Sequence, residues 1–184
     1  MPALTRFDSR CRLLTLLLVL CAPTAVLGQD VTEVRLKSAF IYNFVKFTQW
    51  PADALPAGAM ITACVVGDPA VGEALVRTVM GRLLDGRGIT VSIVRPDSLL
   101  PTCHVLYVSG SADKRAAEIV LAMRTIPVLT ISDLSEFARK GGVVQLSPEA
   151  GKMRFSVNLR AARRARLQLS SRLLALAELV EEQP

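Results

Sequence analysis

Hydrophobic and polar positions along the chain predict short buried strands separated by helices. Three apolar runs, at residues 103–109, 127–132 and 142–146, are rich in valine, leucine and isoleucine and lack polar alternation. Runs of this kind are typical of strands that are buried on both faces of a sheet. A helix-length segment, 112–124, separates the first two runs, and the short segment 134–140 separates the last two. Strands that alternate with helices predict right-handed crossovers and a mostly parallel sheet.

The preceding part of the chain adds two helices and two strands to this prediction. Residues 31–50 carry a broad apolar stripe that is typical of an amphipathic helix. Residues 61–67 predict a strand, and Asp68, followed by a proline, opens a helix that continues to about residue 80. Residues 89–94 alternate apolar and polar side chains, as a half-buried edge strand does.

The C-terminal part predicts a hairpin followed by a long helix. Residues 152–158 alternate with a period of two, so residues 142–158 are typical of an antiparallel hairpin. Apolar positions recur through residues 159–182 and predict one long helix. The predicted fold class is therefore α/β, a three-layer α/β/α sandwich whose mostly parallel sheet carries a C-terminal antiparallel hairpin and a long C-terminal helix.

The first 28 residues predict a secretory signal peptide. Three arginines precede the short apolar run 13–22, and small residues follow up to Gly28. The run is too short to be typical of a membrane span, and an uncleaved anchor is the alternative. We therefore expect one exported domain at residues 29–184, located in the periplasm.

The net charge and the cysteine content limit the classes of function that the sequence allows. Without the three arginines and one aspartate of the first 28 residues the net charge falls from +6 to +4, too small an excess to indicate nucleic-acid binding. The exported part keeps only Cys64 and Cys103. Two cysteines in an exported protein favour one disulfide, and two buried free thiols are the alternative. The bridge would close a loop of 39 residues and stabilise the fold by about 4 kcal/mol.

The residues that could carry catalysis do not form a catalytic set. His104 is the only histidine and is adjacent to Cys103, but neighbouring residues of a strand point to opposite faces, which separates their side chains. One histidine and two cysteines are too few for a typical metal site. The sequence also lacks the glycine patterns of nucleotide cradles and of the nucleophile elbow. We expect no enzymatic activity, no cofactor and no metal.

Polar side chains follow three of the predicted strands at their carboxyl ends, where open α/β sheets bind ligands. They are Asp68, Ser109, Ser111 and Asp133. These four residues are the candidate pocket for a small-molecule ligand. Asp68 and Asp133 are also each suited to cap a helix, and both interpretations stay open.

A candidate partner surface combines the first helix with the C-terminal helix. The aromatic residues Tyr42, Phe47 and Trp50 can pack in the core or line a groove for a partner or a ligand. Arg163 and Arg164 belong to a basic run that is either a solvated face or a contact for an anion or a partner.

Seven ordered segments resemble the YfiR family of exported bacterial proteins. The segments are residues 39–51, 64–68, 103–109, 127–133, 137–142, 154–159 and 169–177. The likeness extends from about residue 33 to residue 180. It implies a periplasmic regulator with a three-layer α/β fold that is often a homodimer.

The resemblance also implies a function. The best-known member binds and restrains the periplasmic part of a membrane-bound diguanylate cyclase, and thereby controls cyclic di-GMP and biofilm formation. Restraint lifts when an outer-membrane lipoprotein captures the regulator, or when its disulfide state changes. Cys64 and Cys103 resemble a family disulfide pair, but the second pair of some relatives has no counterpart after Cys103, which favours a structural bridge. A solute-sensing module that serves a transporter or a sensor kinase is the alternative function.

Overall fold

The structure of the protein is a computed structural model that describes residues 26–96, 98, 102–149 and 152–183. Its α-helices are α1 (Val26–Lys46), α2 (Pro69–Val79), α3 (Asp113–Met123), α4 (Leu159–Arg164) and α5 (Ser171–Leu174). Its strands are β1 (Thr48–Gln49), β2 (Ile61–Val66), β3 (Ile89–Val94), β4 (Val105–Val108), β5 (Leu129–Ser132), β6 (Val144–Glu149), β7 (Lys152–Val157), β8 (Gln168–Leu169) and β9 (Glu178–Leu179). The predicted signal peptide lies outside the described residues, except for residues 26–28.

The larger sheet confirms the predicted α/β class and the mostly parallel pairing. It has seven strands in the order β3-β2-β4-β5-β6-β7-β9. Strands β3 to β6 are parallel, β6 and β7 form the predicted antiparallel hairpin, and β9 joins β7 in parallel. The register places Val66, Val108 and Ser132 side by side, so β2, β4 and β5 end at nearly the same edge.

Buried side chains form two clusters that the alternation of strand residues separates. In β2, Val65 belongs to the larger cluster, which also contains Phe44 of α1 and Leu75 of α2. Val66 belongs to the smaller cluster, which contains Ile119 of α3. Successive strand residues point to opposite faces, so the two clusters lie on opposite sides of the sheet. The complete three-layer sandwich stays a prediction, since α3 is the only described α-helix in the smaller cluster, next to the 3-10 turn Gly110–Ala112.

The first helix ends earlier than the pattern of residues 31–50 predicts. Helix α1 ends at Lys46, and Thr48 then opens the short strand β1, which pairs antiparallel with β8. The side-chain hydroxyl of Thr48 donates to the carbonyl of Phe44 at 2.7 Å and satisfies one of the last carbonyls of the helix. The apolar residues that continue the helical pattern after Lys46 therefore lie outside the helix, Phe47 in a turn and Trp50 just after the strand.

The prediction of one long C-terminal helix at residues 159–182 is wrong. Helix α4 has six residues, Arg166 adopts a φ of 56°, and the chain then forms β8, α5 and β9. Ser170 caps α5, because its hydroxyl accepts a hydrogen bond from Leu173 N at 3.3 Å. The apolar residues of this segment belong to several short elements. A helical spacing of apolar residues does not distinguish this arrangement from one long helix. The segment 134–140 likewise forms turns and no helix.

Candidate functional site

The structure brings together all four residues of the candidate ligand pocket. Each follows β2, β4 or β5 at the shared carboxyl edge. The Ser111 hydroxyl lies 3.4 Å from the Ser109 hydroxyl and donates to the carbonyl of Gly67 at 2.5 Å. The backbone N–H of Gly110 donates to Asp133 Oδ1 at 2.6 Å, which links the β4 end to the β5 end.

Asp133 is the centre of this edge. Its Oδ2 accepts hydrogen bonds from the Lys37 ammonium at 2.6 Å and from the Tyr107 hydroxyl at 3.0 Å. Its side chain is 12% exposed, and the turn that follows it is not a helix, so Asp133 does not act as a helix cap. We call Lys37, Tyr107, Gly110 and Asp133 the Asp133 network.

Lys37 and Tyr107 are the two side chains of the network that the sequence pattern did not identify. Lys37 lies on α1 with a side chain only 10% exposed, and it also pairs with Glu33 at 2.7 Å. Burial lowers the pKa of Lys37, but the hydrogen bonds and negative charges of Asp133 and Glu33 outweigh it, so the pKa is raised. The spacing of four residues between Glu33 and Lys37 was the available signal.

Tyr107 completes the network from the centre of the sheet. It is fully buried in β4. Burial raises the pKa of its hydroxyl, and the charge and hydrogen bond of Asp133 and the charge of Asp68 raise it further. A tyrosine inside an apolar strand needs a partner for its hydroxyl, which is the signal that the sequence offered.

Asp68 has the structural role that the sequence allowed. Its Oδ1 accepts a hydrogen bond from Val71 N at 3.0 Å and caps α2. These hydrogen bonds of Asp68 and Asp133 are all made within the protein. The carboxyl edge is a polar link between α1, α2 and the sheet, and it needs no ligand to satisfy these carboxylates.

The described residues line a half-open cavity at the other end of the sheet, near the amino ends of β2 and β3. Its volume is about 590 Å³. Residues that line it include Tyr42, Lys46, Trp50, Leu55, Leu84 and Arg87. The cavity therefore contains two of the three aromatic residues of the candidate partner surface, together with two cationic side chains.

His104 holds the loop that borders this cavity. Its Nδ1 accepts a hydrogen bond from Thr62 N at 3.0 Å, so the ring proton lies on Nε2, which faces the carbonyl of Ala54 at 3.3 Å. The indole N–H of Trp50 donates to the His104 carbonyl at 3.1 Å. Arg87 donates to the Ala59 carbonyl at 3.2 Å. These contacts give His104 a structural role and position Trp50.

The other residues of the candidate partner surface lie elsewhere. The carbonyl of Phe47 accepts a hydrogen bond from Ser170 N at 2.9 Å, which joins β1 to the start of α5. Arg164 forms an ion pair with Glu182 at 2.5 Å. Arg163 is exposed at the end of α4. The structure thus brings Tyr42 and Trp50 together at the cavity and does not place either arginine among its lining residues.

A disulfide joins Cys64 and Cys103, whose Cα atoms are 6.0 Å apart. Cys64 lies in β2, and Cys103 precedes β4 directly beside His104. Both cysteines are buried in the smaller cluster. The bridge therefore fixes Cys103 in place, and the next residue, His104, holds the loop that borders the cavity.

Comparison with known proteins identifies the family. Within the part of the chain that the structure describes, no helix has the length and apolar character needed to cross a membrane. No curated protein matches the chain significantly. A family model described as YfiR/HmsC-like matches residues 34–178, which is most of the chain. The protein belongs to the YfiR/HmsC-like family.

Proposed function

We propose that this protein is a periplasmic regulator that binds and restrains the periplasmic part of a membrane-bound diguanylate cyclase. The YfiR/HmsC-like family is regulatory and non-catalytic, and it acts in the periplasm on diguanylate cyclase signalling. The observation that carries the proposal is the family match over residues 34–178. The matched range contains the disulfide, the Asp133 network and the cavity.

Binding can restrain an enzyme only if the regulator has a higher affinity for the inactive arrangement than for the active one. An outer-membrane lipoprotein that competes for the same surface would reverse the effect by mass action. The rim of the cavity supports this interpretation, because Tyr42 and Trp50 are partly exposed aromatic residues and Lys46 beside them is exposed. Aromatic side chains beside a cation are typical of energetically important residues at interfaces.

The first test measures cyclic di-GMP in cells. Deletion of the gene should raise the cyclic di-GMP level, and expression of the full chain from a plasmid should lower it again. Lys46→Glu at the cavity rim and Arg163→Glu on the candidate partner surface each reverse the charge of an exposed residue and should reduce this complementation. Lys152→Glu reverses an exposed charge on β7 and is the matched control. An unchanged cyclic di-GMP level after deletion would contradict the proposal.

The second test identifies the partner. A tagged full chain is purified from solubilised membranes, and the proteins bound to it are identified by mass spectrometry. We expect a membrane-bound cyclase with a periplasmic domain in the wild-type sample and less of it with Lys46→Glu. Recovery of no such cyclase under conditions where the tagged protein is folded would count against restraint by direct binding.

A solute-sensing module is the second candidate function, and the cavity is the observation that favours it. Its volume of about 590 Å³ is within the usual range for small-molecule sites. A ligand present at a hundred times its Kd should stabilise the protein by about 2.7 kcal/mol. Thermal-shift screening with amino acids, nucleotides and vitamins tests this function. A hit that Tyr42→Ala abolishes would support it, and the absence of any hit would exclude those classes of ligand.

A further inference from the structure

The segment at residues 178–183 is bound to the rest of the protein as an extended peptide would be. It begins as β9, which pairs in parallel with only the last two residues of the six-residue strand β7. Val180 N then donates to the carbonyl of Val157 at 3.0 Å, and Gln183 N donates to the carbonyl of Arg139 at 2.9 Å. Main-chain hydrogen bonds of this kind place any extended segment in register, whatever its sequence.

Glu182 supplies the side-chain anchor of this segment. Its side chain is only 11% exposed, and its carboxylate lies between the guanidinium groups of Arg124, which follows α3, and Arg164, the last residue of α4. A Cβ atom on Gly141 would lie 3.2 Å from Glu182 Oε1, so the glycine leaves room for the carboxylate. We call Arg124, Gly141 and Arg164 the arginine pocket.

The arginine pocket offers more than Glu182 uses. Arg164 Nη2 and Glu182 Oε2 are 2.5 Å apart but lack the geometry of a hydrogen bond. The buried Nε of Arg164 likewise has no hydrogen-bond partner among the described residues. A guanidinium binds a carboxylate best through two parallel N–H donors. A carboxylate that approached Arg164 in the plane of its guanidinium would therefore form hydrogen bonds that Glu182 does not form.

Little apolar burial keeps the segment in place. Leu176, just before it, is 77% exposed, and Leu179 within it is 55% exposed. Segments with few buried apolar contacts and exposed backbone hydrogen bonds open locally at a lower free energy than the whole fold. Opening frees both the outer edge of β7 at Ser156 and Val157 and the arginine pocket. A strand edge beside a pocket for one side chain is a known arrangement for binding an extended peptide.

We propose that the outer edge of β7 and the arginine pocket form a binding site for an extended acidic segment of another protein, and that residues 178–183 occupy this site until such a segment displaces them. The resident segment defines the chemistry of the ligand, which is strand backbone beside β7 followed by a glutamate three residues after the last paired residue, Leu179. The described lining of the cavity includes none of these residues, so the site can be absent while the proposed function holds.

A fluorescently labelled peptide with the sequence of residues 176–183 tests the site, and fluorescence polarisation measures its binding to the purified full-chain product. In the wild-type protein the resident segment competes with the peptide at a high effective concentration. Glu182→Gln weakens this competition and should lower the apparent Kd of the peptide about tenfold. Glu181→Gln is the matched control, because it changes the adjacent, exposed glutamate and should leave the Kd unchanged. Thermal unfolding of each variant shows that it is folded.

Two further changes identify the contacts. In the Glu182→Gln protein, Arg164→Gln should raise the Kd about tenfold, and Arg163→Gln, which removes the exposed charge beside it, should change the Kd less. A peptide with glutamine at the position of Glu182 should bind about tenfold more weakly than the original peptide. Equal Kd values for the wild-type and Glu182→Gln proteins, or for the two peptides, would overturn the proposal. Acetate that competes as well as the unlabelled peptide would also overturn it, because the β7 edge would then contribute nothing.

Hydrogen exchange of the unmodified protein gives a second readout. Relative to their intrinsic rates, the amides of Val180 and Gln183 should exchange at least about a hundredfold faster than the amide of Ser109, which donates to the carbonyl of Val66 between β4 and β2. Equal protection of these amides would contradict the proposal, since the segment would then leave its site only when the whole protein unfolds.

Discussion

The Asp133 network leads to a quantitative prediction for the variant Lys37→Met. The substitution keeps much of the side-chain volume but removes the ammonium that lies 2.6 Å from Asp133 Oδ2. Both side chains are nearly buried, at 10% and 12% exposure, so solvent screens their interaction weakly. Removal of one member of a buried ion pair costs about 3–5 kcal/mol, because the remaining charge stays without its partner. The hydrogen bonds from Tyr107 and Gly110 remain, which places the expected loss near the lower value, about 3 kcal/mol.

Urea denaturation measures this loss. For a domain of this size an m-value of about 2 kcal/mol per molar is typical, so the unfolding midpoint should fall by about 1.5 M. The control is Lys152→Met, which removes an exposed lysine of β7 and should change the free energy of unfolding by less than about 0.5 kcal/mol.

The double variant Lys37→Met/Asp133→Asn separates the ion pair from the loss of packing. Since the asparagine carries no charge, the double variant should lose less stability than the sum of the two single variants. Single-variant losses below about 1 kcal/mol that simply add would refute the reasoning, because they would mean that the two groups are not coupled.

Four further predictions follow from other parts of the structure. The raised pKa of Tyr107 keeps its hydroxyl protonated in the folded protein. The stability that this provides is complete below the ordinary tyrosine pKa of 10.0 and is lost as the pH rises above that value. Tyr107→Phe should reduce this alkaline loss of stability in thermal melts from pH 8 to 11. Replacement of both disulfide cysteines by serine should lower the free energy of unfolding, measured with urea, by about 4 kcal/mol. A reductant should then have no further effect on the stability of this variant. His104→Ala leaves the backbone N–H of Thr62 without its acceptor and should cost about 1–3 kcal/mol in urea denaturation. The backbone carbonyl that accepts from Trp50 remains in this variant. A loss below about 0.5 kcal/mol, the range of a surface substitution, would contradict the structural role of the histidine ring. Gly142→Ala would bring a Cβ atom to 2.1 Å from the ring of the buried Phe137 and should cost at least about 2 kcal/mol, whereas Gly88→Ala, which meets only the flexible end of a methionine, should cost less.

Local patterns were sufficient to predict the strands of the large sheet. The predicted strands agree with β2 to β7 to within three residues at each end. Strands β2, β4 and β5 are apolar runs bounded by turn residues, and the residues that favour a strand there are also the ones that are buried. Strands β3 and β7 were recognisable by the alternation of apolar and polar residues. The capping role of Asp68 was also predictable from local sequence, because its contact is with a residue only three positions away.

Two parts of the fold depend on contacts that a local pattern does not contain. The link between Lys37 and Asp133 joins residues 96 positions apart, so the sequence shows only one polar residue on a helix and one after a strand. In the C-terminal segment, β8 forms because Leu169 pairs with Thr48, and β9 forms because Leu179 pairs with Val157. Without those partners the same apolar spacing fits a helix equally well.

Helix α1 carries residues of both ends of the sheet, and this limits how a signal at the cavity could act. Lys37 belongs to the Asp133 network at the carboxyl edge, whereas Tyr42 and Lys46 line the cavity near the amino ends of β2 and β3. Lys46 lies nine positions after Lys37, a distance of about 14 Å along the helix axis. A partner or ligand that shifted α1 at the cavity would therefore also have to move Lys37 relative to Asp133. Because separation of that buried ion pair is costly, the network favours a fixed α1 and a binding surface that is already formed in the free protein.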